Sequence, residues 1–363
     1  MEIANFTLCD RTGSFRADME LRRKAAARVG EEDEMRTGSL MLLAALVTGI
    51  PSTTAHAAPG CPAFRWTTLG TAGGPVPTVE RSEPANLLEA GDLAMLVDAG
   101  DGTAVQLAKV GRQVGSVRTL FLSHLHWDHA GGLGAVIGLR WMNEFPGKLR
   151  IYGPPGTRAV VDGIVASLAA PARIGFGSGH LPPAPDDSVE VVELHDGDSA
   201  AIGGMSVRAV ANSHYDPDPE GAMGTLSLSY RFEFGGRAIT YTGDTGPSTA
   251  VAALARGSDL LVSEVIAPEP LIADIAKHRP DMTEAQRAEM RHHLTTHHLD
   301  PGSAGAIAAA AGVGRLVLTH FAIPGPLDAN ADYLRAGIAQ TYHGPLELAR
   351  DLAHFDVACK AGE

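Results

Sequence analysis

Three histidines and one aspartate lie close together between positions 124 and 129: His124, His126, Asp128 and His129. The segment follows the apolar run 119–123 and precedes an Ala/Gly-rich stretch, which predicts a tight turn from a strand into a helix. Such a turn points neighbouring side chains in different directions, so we expect His124 and His126 to bind one cation and Asp128 and His129 a second. Imidazole and carboxylate ligands without a thiolate favour zinc, with iron or manganese as alternatives.

Three further candidate ligands, His214, Asp244 and His320, each come after a β-like apolar run. Open α/β folds place their sites at strand ends, so we expect these residues to join the first cluster. One carboxylate can span two cations, and Asp244 is therefore the predicted bridge. The sequence thus predicts two divalent metal ions. One would be bound by His124, His126 and His214, and the other by Asp128, His129 and His320.

These seven residues resemble the ligands of the metallo-β-lactamase fold superfamily. The resemblance extends over residues 64–355 and implies an α/β fold, a four-layer αββα sandwich in a single domain. Asp244 is similar to the residue of the hydrolase branches that bind two metals, whereas the β-lactamases carry Cys or Ser there. The resemblance therefore does not imply antibiotic hydrolysis. His126 also differs from the flavodiiron branch, which has Glu in the corresponding place.

Two glycine-containing stretches narrow the resemblance to the tRNase Z and arylsulfatase-like group. They are Leu-Gly-Thr-Ala-Gly-Gly-Pro at 69–75 and Leu-Val-Asp-Ala-Gly-Asp-Gly-Thr at 96–103. In that group a Glu after a strand pairs with a His before a helix, and the imidazole donates a proton to the leaving group. Glu264 and His298 match those positions. The adjacent His297 remains an alternative proton donor. The alternative for the pair as a whole is a solvent-exposed helix start whose histidines are not catalytic.

This set of residues predicts a hydrolase. Two cations lower the pKa of a shared water, and Asp128 or Asp244 would orient the resulting hydroxide. His298, held by Glu264, would protonate the departing oxygen. We therefore expect hydrolysis of small organic esters, with phosphodiesters or aryl sulfates ahead of the alternative, lactones and carboxylic esters. A non-catalytic metal-binding module and an iron-dependent oxidoreductase are the readings from other functional classes.

The charge balance bears on the substrate. The chain of 363 residues has a net charge of −13, which repels polyanions. Members of the tRNase Z group hold tRNA with an arm rich in Lys and Arg, and this sequence has no such run. We therefore expect a small-molecule ester substrate and no nucleic-acid partner. The sequence leaves the oligomeric state open, a homodimer included.

The N-terminal region predicts export. Residues 35–57 contain Met35-Arg36, an apolar run at 40–50 and Ala-His-Ala at 55–57, the pattern of a cleaved signal peptide. The apolar run is shorter than the roughly 20 residues that span a bilayer, so we expect no stable membrane insertion after cleavage. A membrane anchor or a buried helix is the alternative. Residues 1–34 form a charged, doubtful leader, and 58–363 form the periplasmic or secreted hydrolase domain.

Cysteine usage agrees with export. Residues 58–363 contain two cysteines, Cys61 and Cys359, one near each end and neither beside a candidate ligand. An even pair in an exported domain suggests a disulfide, and two unrelated free thiols are the alternative.

The rest of the sequence predicts strands and helices in alternation, with three segments placed to determine specificity. These segments are the Pro/Gly-rich loop at 171–188, the loop at 215–223 and a helical insertion at 267–296.

Overall fold

The computed structural model describes residues 61–74, 76–215 and 224–359. The predicted leader and signal peptide, and nearly all of the loop at 215–223, lie outside these residues. The strands are β1 (Phe64–Gly70), β2 (Ala85–Ala90), β3 (Leu93–Ala99), β4 (Thr119–Phe121), β5 (Leu149–Gly153), β6 (Val189–Glu193), β7 (Ser199–Ile202), β8 (Met205–Ala211), β9 (Leu228–Phe234), β10 (Arg237–Tyr241), β11 (Leu260–Ile266), β12 (Leu316–Ala322), β13 (Leu346–Leu348) and β14 (Ala353–Asp356).

The α-helices lie between these strands. They are α1 (Thr103–Lys109), α2 (Trp127–Ala130), α3 (Leu133–Met142), α4 (Thr157–Ser167), α5 (Thr249–Leu254), α6 (Pro268–His278), α7 (Glu284–Thr296), α8 (Pro301–Ala311) and α9 (Leu327–Ile338). The predicted insertion at 267–296 therefore folds as α6 and α7. In the described part of the chain, no helix combines the length and the apolar character that crossing a membrane requires.

The strands form two seven-stranded sheets with the orders β14-β1-β2-β3-β4-β5-β6 and β13-β12-β11-β10-β9-β8-β7. In the first sheet β14 to β3 pair antiparallel and β3 to β6 pair parallel. The second sheet repeats this plan, with β7 to β10 antiparallel and β10 to β13 parallel. The two halves of the chain thus fold on one plan, and helices connect the parallel strands of each.

Large aromatic side chains fill the space between the two sheets. Trp66 and Phe121 of the first sheet contact Tyr241 and Phe232 of the second, with ring centroids 5.4 Å apart in each pair. Two further apolar clusters lie on the outer faces: α1, α3 and α4 cover the first sheet, and α5, α8 and α9 cover the second. This arrangement confirms the predicted four-layer αββα sandwich in a single domain.

The two ends of the described chain are joined. Cys61 and Cys359 form a disulfide with their Cα atoms 6.2 Å apart, which confirms the predicted pairing. The bond lies beside the antiparallel pair of β1 and β14, where Arg65 and Asp356 are cross-strand partners. It therefore closes the edge of the first sheet at the point where the chain enters and leaves the fold.

Candidate metal centre and proton donor

The first cluster lies in the turn between β4 and α2, as predicted. His124 and His126 precede α2, and Asp128 and His129 lie within this one-turn helix. The turn approaches the end of β3 so closely that a Cβ atom at Gly100 would lie 2.1 Å from the carbonyl oxygen of Asp128. Glycine at position 100 therefore lets the ligand-bearing turn sit against β3.

Three imidazole nitrogens meet on one side of the centre. Nδ1 of His126 lies 3.1 Å from Nε2 of His124 and 3.1 Å from Nε2 of His214. His124 and His214 are buried, whereas His126 is exposed to solvent. The three nitrogens can hold one cation, and the exposed side gives a substrate access to it.

A second group lies beside the first. Asp128, His129 and His320 come together, with Oδ2 of Asp128 3.7 Å from Nε2 of His129 and 3.8 Å from Nε2 of His320. Asp244 stands between the groups, because its carboxylate lies 3.2 Å from Nε2 of His129, 3.1 Å from Nε2 of His320 and 3.9 Å from Nε2 of His124. The structure thus brings all seven predicted ligands together, with Asp244 in the bridging position.

Buried polar atoms in the centre fit a bound cation. Nε2 of His129, Nε2 of His320 and Oδ1 of Asp244 are buried and form no hydrogen bond within the described residues. Buried polar atoms are normally hydrogen-bonded, so convergent atoms without hydrogen-bond partners have the character of ligands to a cation. Nitrogen and oxygen donors of this kind suit divalent metal ions, and the assignment of each residue as a ligand stays a prediction.

Hydrogen bonds behind the candidate ligands fix which nitrogen faces the centre. Nδ1 of His214 donates to the carbonyl oxygen of His297 at 2.9 Å, which leaves Nε2 as the unprotonated nitrogen. Nδ1 of His129 lies 2.8 Å from Oδ2 of Asp98 and is oriented in the same way. Such outer contacts set the tautomer and raise the basicity of a metal-binding imidazole.

Asp98 has a positioning role that the sequence did not reveal. Its carboxylate is fully buried and accepts hydrogen bonds from the amide and hydroxyl of Ser123 and from the hydroxyl of Tyr241, at 2.7–2.8 Å. It has a positive φ of 60°, which is uncommon outside glycine. The available signal was a carboxylate at the end of the apolar strand β3, next to Gly100.

His320 lies inside β12 and not after the strand, which corrects its predicted position. Glu264 of β11 pairs with Thr319 of β12, and the next residue, Val265, pairs with Phe321, so His320 is the extra residue of a bulge. Its φ is 48°, in the left-handed region. Bulges redirect side chains, and this one accompanies the turn of the His320 ring towards Asp244. Glu264 likewise lies within β11, and not after a strand as the resemblance implied.

The electrostatics of the centre favour bound cations. Burial acts to lower the pKa of His320, but the charge of Asp244 outweighs it and raises the pKa to about 10. Burial acts to raise the pKa of Asp128, but the neighbouring imidazoles of His320 and His129 outweigh it and lower the pKa to about 2. The carboxylates therefore stabilise positive charge here, which two metal ions would supply in place of protons.

His298, the candidate proton donor, lies against the centre. Nδ1 of His298 lies 2.9 Å from Oε2 of Glu264, and the His298 ring is 4.8 Å from the ring of His214 between centroids. Burial lowers the pKa of His298, but the charge and hydrogen bond of Glu264 outweigh it and raise the pKa. His297 contacts His293 instead, Nδ1 to Nδ1 at 3.0 Å. The geometry therefore favours His298 over His297 as the donor.

Solved structures share this fold. The metallo-β-lactamase fold protein YhfI from Bacillus subtilis aligns with a TM-score of 0.59 at 19% identity, over 82% of this chain and 100% of the other. The short form of human tRNase Z aligns with a TM-score of 0.54 at 22% identity, over 80% of this chain and 98% of the other. Identities this low show the common fold alone.

Proteins found by sequence comparison have a higher identity to this chain. The Ribonuclease Z proteins of Mycobacterium avium and Mycobacterium marinum are each 33% identical to this chain over 299 residues. The alignments cover 80% of this chain and 97% and 98% of the relatives. The similarity thus extends over nearly the whole length of these ribonucleases.

These relatives correct two expectations. We expected hydrolysis of small organic esters, aryl sulfates and lactones included, and no nucleic-acid partner; both expectations are wrong, because the relatives are ribonucleases. The charge argument failed because a net charge of −13 is summed over the whole chain. A phosphate responds to the local field, and two divalent cations would add four positive charges where it binds.

The family assignment is direct. Residues 94–321 match the model of the β-lactamase superfamily domain, a stretch that contains all seven candidate ligands together with Glu264 and His298. Members of this family typically bind two divalent metal ions, and the clusters described above suit such ions. By this match, and by its similarity to the mycobacterial ribonucleases, the chain belongs to the β-lactamase superfamily domain family.

Proposed function

We propose that this protein is a dinuclear zinc phosphodiesterase that hydrolyses RNA. The observation that carries the proposal is the pair of His298 and Glu264, 2.9 Å apart, beside a centre that can hold two cations. Such a pair is useful when the leaving group is a poor one, such as the alkoxide of a ribose. The similarity to Ribonuclease Z supports RNA as the source of that alkoxide.

When bound, two divalent cations would lower the pKa of a water molecule and polarise a phosphoryl oxygen. His124, His126 and His214 would hold one ion, Asp128, His129 and His320 the other, and Asp244 both. Zinc suits this donor set, with manganese and iron as the alternatives. We assign to Asp128 the orientation of the attacking water, because its carboxylate belongs to the second group and is not completely buried.

His298 completes the reaction. Glu264 is fully buried and holds Nδ1 of His298, so the proton on Nε2 is the one available to a leaving group. As the P–O bond breaks, the ribose oxygen takes this proton. The proton that the attacking water loses passes to solvent, and a proton from solvent restores Nε2–H of His298. The products are a free hydroxyl and a phosphate monoester.

This mechanism does not use the 2′-hydroxyl of RNA, which gives a direct test. A labelled RNA with one 2′-deoxy nucleotide on the 5′ side of the scissile phosphate should be cleaved by the zinc-loaded protein as the all-ribose RNA is. Asp244→Ala should abolish cleavage, and Asp162→Ala, which changes an exposed carboxylate on α4, should not. A 2′,3′-cyclic phosphate product, or loss of cleavage at the deoxy position, would contradict the proposal.

We also propose that the mature enzyme acts on RNA outside the cytoplasm. The signal-peptide pattern at 35–57 supports export, and so does the disulfide of Cys61 and Cys359, because disulfides persist in oxidising compartments. N-terminal sequencing of protein recovered outside the cytoplasm should give a start near Ala58. Cytoplasmic protein with an intact Met1 would contradict both the cleavage and the export.

A further inference from the structure

Helix α7 brings one more histidine to the rim of the centre. The ring centroid of His293 lies 5.4 Å from that of His298 and 6.1 Å from that of His214. The neighbouring residue His292 is exposed, whereas His293 is only partly exposed. A capping box of Thr283 and Gln286 fixes the start of α7, so the helix, and not a loose loop, sets the position of this imidazole.

The two nitrogens of His293 have different surroundings. Nδ1 lies 3.0 Å from Nδ1 of His297, so one of these nitrogens donates and the other accepts. Nε2 of His293 forms no hydrogen bond to any residue that the structure describes. It is also not among the buried polar atoms that lack a partner, so it is open to solvent. When Nδ1 of His297 is the donor, Nε2 of His293 keeps its proton and can donate a hydrogen bond to a molecule bound at the centre.

A hydrogen bond connects the end of α7 to the candidate metal centre. The carbonyl oxygen of His297 accepts the hydrogen bond from Nδ1 of His214 at 2.9 Å, so the end of α7 is bound to a candidate ligand. His293 itself is not in any of the residue groups that could hold a metal ion. Its imidazole is therefore held beside the candidate cations without being one of their ligands.

We infer that His293 binds the substrate phosphate, donating from Nε2 to an oxygen that the cations do not hold; this inference rests on the proposed function. Of the two rings at the centre, that of His298 lies closer to the His293 ring than that of His214 does, which places the contact on the leaving-group side of the phosphate. The centre itself is lined by the carboxylates of Asp128, Asp244 and Glu264. A neutral donor at the rim gives the anionic substrate a contact that these groups do not offer.

The test uses the zinc-loaded mature protein and two variants, His293→Ala and His293→Gln. Alanine is a strong helix former, so α7 should persist, and glutamine retains a donor near the Nε2 position. His292→Ala, one position away and exposed, is the matched control. Three quantities are measured: the Kd of adenosine 5′-monophosphate by calorimetry, KM and kcat on RNA, and the metal content.

We expect His293→Ala to raise Kd and KM by roughly tenfold or more, because a hydrogen bond to a charged group is worth about 1.5–3 kcal/mol. His293→Gln should recover part of this loss, and the metal content and the dependence of kcat on the leaving group should not change. His292→Ala should behave as the wild type. An unchanged Kd in His293→Ala, a loss of metal, or a wild type that does not bind the monophosphate would overturn the inference.

Failure of the proposed function gives a different result. If the wild type binds adenosine 5′-monophosphate, His293→Ala weakens that binding, and RNA is not cleaved, then RNA hydrolysis is wrong and the phosphate contact of His293 holds. If RNA is cleaved and the Kd is the same in both proteins, the contact is wrong and RNA hydrolysis holds.

Discussion

Nδ1 of His298 lies 2.9 Å from Oε2 of Glu264, and the other oxygen of Glu264 accepts a hydrogen bond from the amide of Thr245 at 2.5 Å. Glu264 is fully buried, in the middle of β11. The carboxylate is thus fixed from both sides, and it fixes the orientation of the imidazole. Asp300 caps α8 just after His298 by accepting from the amide of Ser303, which sets the chain direction there.

His298→Ala should slow RNA hydrolysis severely and leave both metals in place. One general acid contributes about 10²–10⁴-fold, so kcat on RNA should fall within that range. A phosphodiester with a nitrophenolate leaving group, used as a probe, should be affected much less, because nitrophenolate hardly needs a proton. The measurement is kcat against the leaving-group pKa, together with metal analysis.

The comparison with Glu264→Gln sharpens this prediction. Glutamine keeps the size of the side chain and removes the charge that helps raise the pKa of His298, so the dependence on the leaving group should shift in the same direction but less. Equal losses on good and poor leaving groups, or a fall in metal content in His298→Ala, would mean that His298 has another role. His297 would then be the next residue to test.

Asp244→Ala should remove or weaken the binding of one metal ion and reduce turnover by orders of magnitude. The carboxylate lies 3.1 Å from His320 and 3.2 Å from His129, and no other carboxylate stands between the two groups of candidate ligands in the described residues. Metal content per chain, measured after dialysis, checks the first effect, and Asp162→Ala is the control. Full turnover with a single cation per chain would contradict the dinuclear centre.

Asp98→Asn should reduce zinc affinity although Asp98 does not belong to the predicted ligand set. Asparagine cannot accept from all four donors that face Asp98, and the orientation of His129 would loosen as a result. Outer contacts of this kind are worth about 10–100-fold in metal affinity. Tyr241→Phe removes one of the four donors and keeps the ring in the core, so its effect on zinc affinity should be clearly smaller. Equal effects of the two variants would contradict this positioning role.

The candidate site was more predictable from sequence than the backbone that shapes it. Histidine and aspartate are unusual after apolar strands, so His214, Asp244 and His320 stood out by residue type alone. The ends of β11 and β12 did not stand out in the sequence, because every residue of both strands is buried. A strand buried on both faces has no polar alternation to mark its end.

Other features depend on contacts that no local pattern contains. The bulge at His320 arises from the register between β11 and β12, and the four hydrogen bonds to Asp98 come from residues up to 143 positions away. The sequence predicts that the ligand-bearing turn leads into a helix, whereas the structure has the short helix α2 and then α3, separated by two glycines. Here Gly132 is required by the close approach of Gly100, whose carbonyl oxygen a Cβ would meet at 2.1 Å.

RNA binding should depend only weakly on salt. The phosphate contacts proposed above lie at the candidate metal centre and at His293, so we expect only a few phosphates to be neutralised. For single strands the slope of log affinity against log salt is about −0.7 for each phosphate that is neutralised. One to three contacts near the metal centre would therefore give a slope between roughly −0.7 and −2. KM on RNA, measured over a series of salt concentrations, checks this, and a slope of −4 or steeper in log affinity would reveal a basic RNA-binding surface beyond the metal centre.

Reduction of the disulfide should destabilise the fold without removing activity at moderate temperature. The bond between Cys61 and Cys359 closes a loop with a sequence separation of 298 residues, far from the candidate ligands in the sequence. The chain-entropy model then predicts a stabilisation of about 5–6 kcal/mol, since long loops lose most entropy when closed. Tm should fall by several degrees in reductant, while the double variant Cys61→Ser with Cys359→Ser should have the lower Tm with and without reductant. If reductant lowers the Tm of the double variant as well, or leaves that of the wild type unchanged, the disulfide is not the source of this stability.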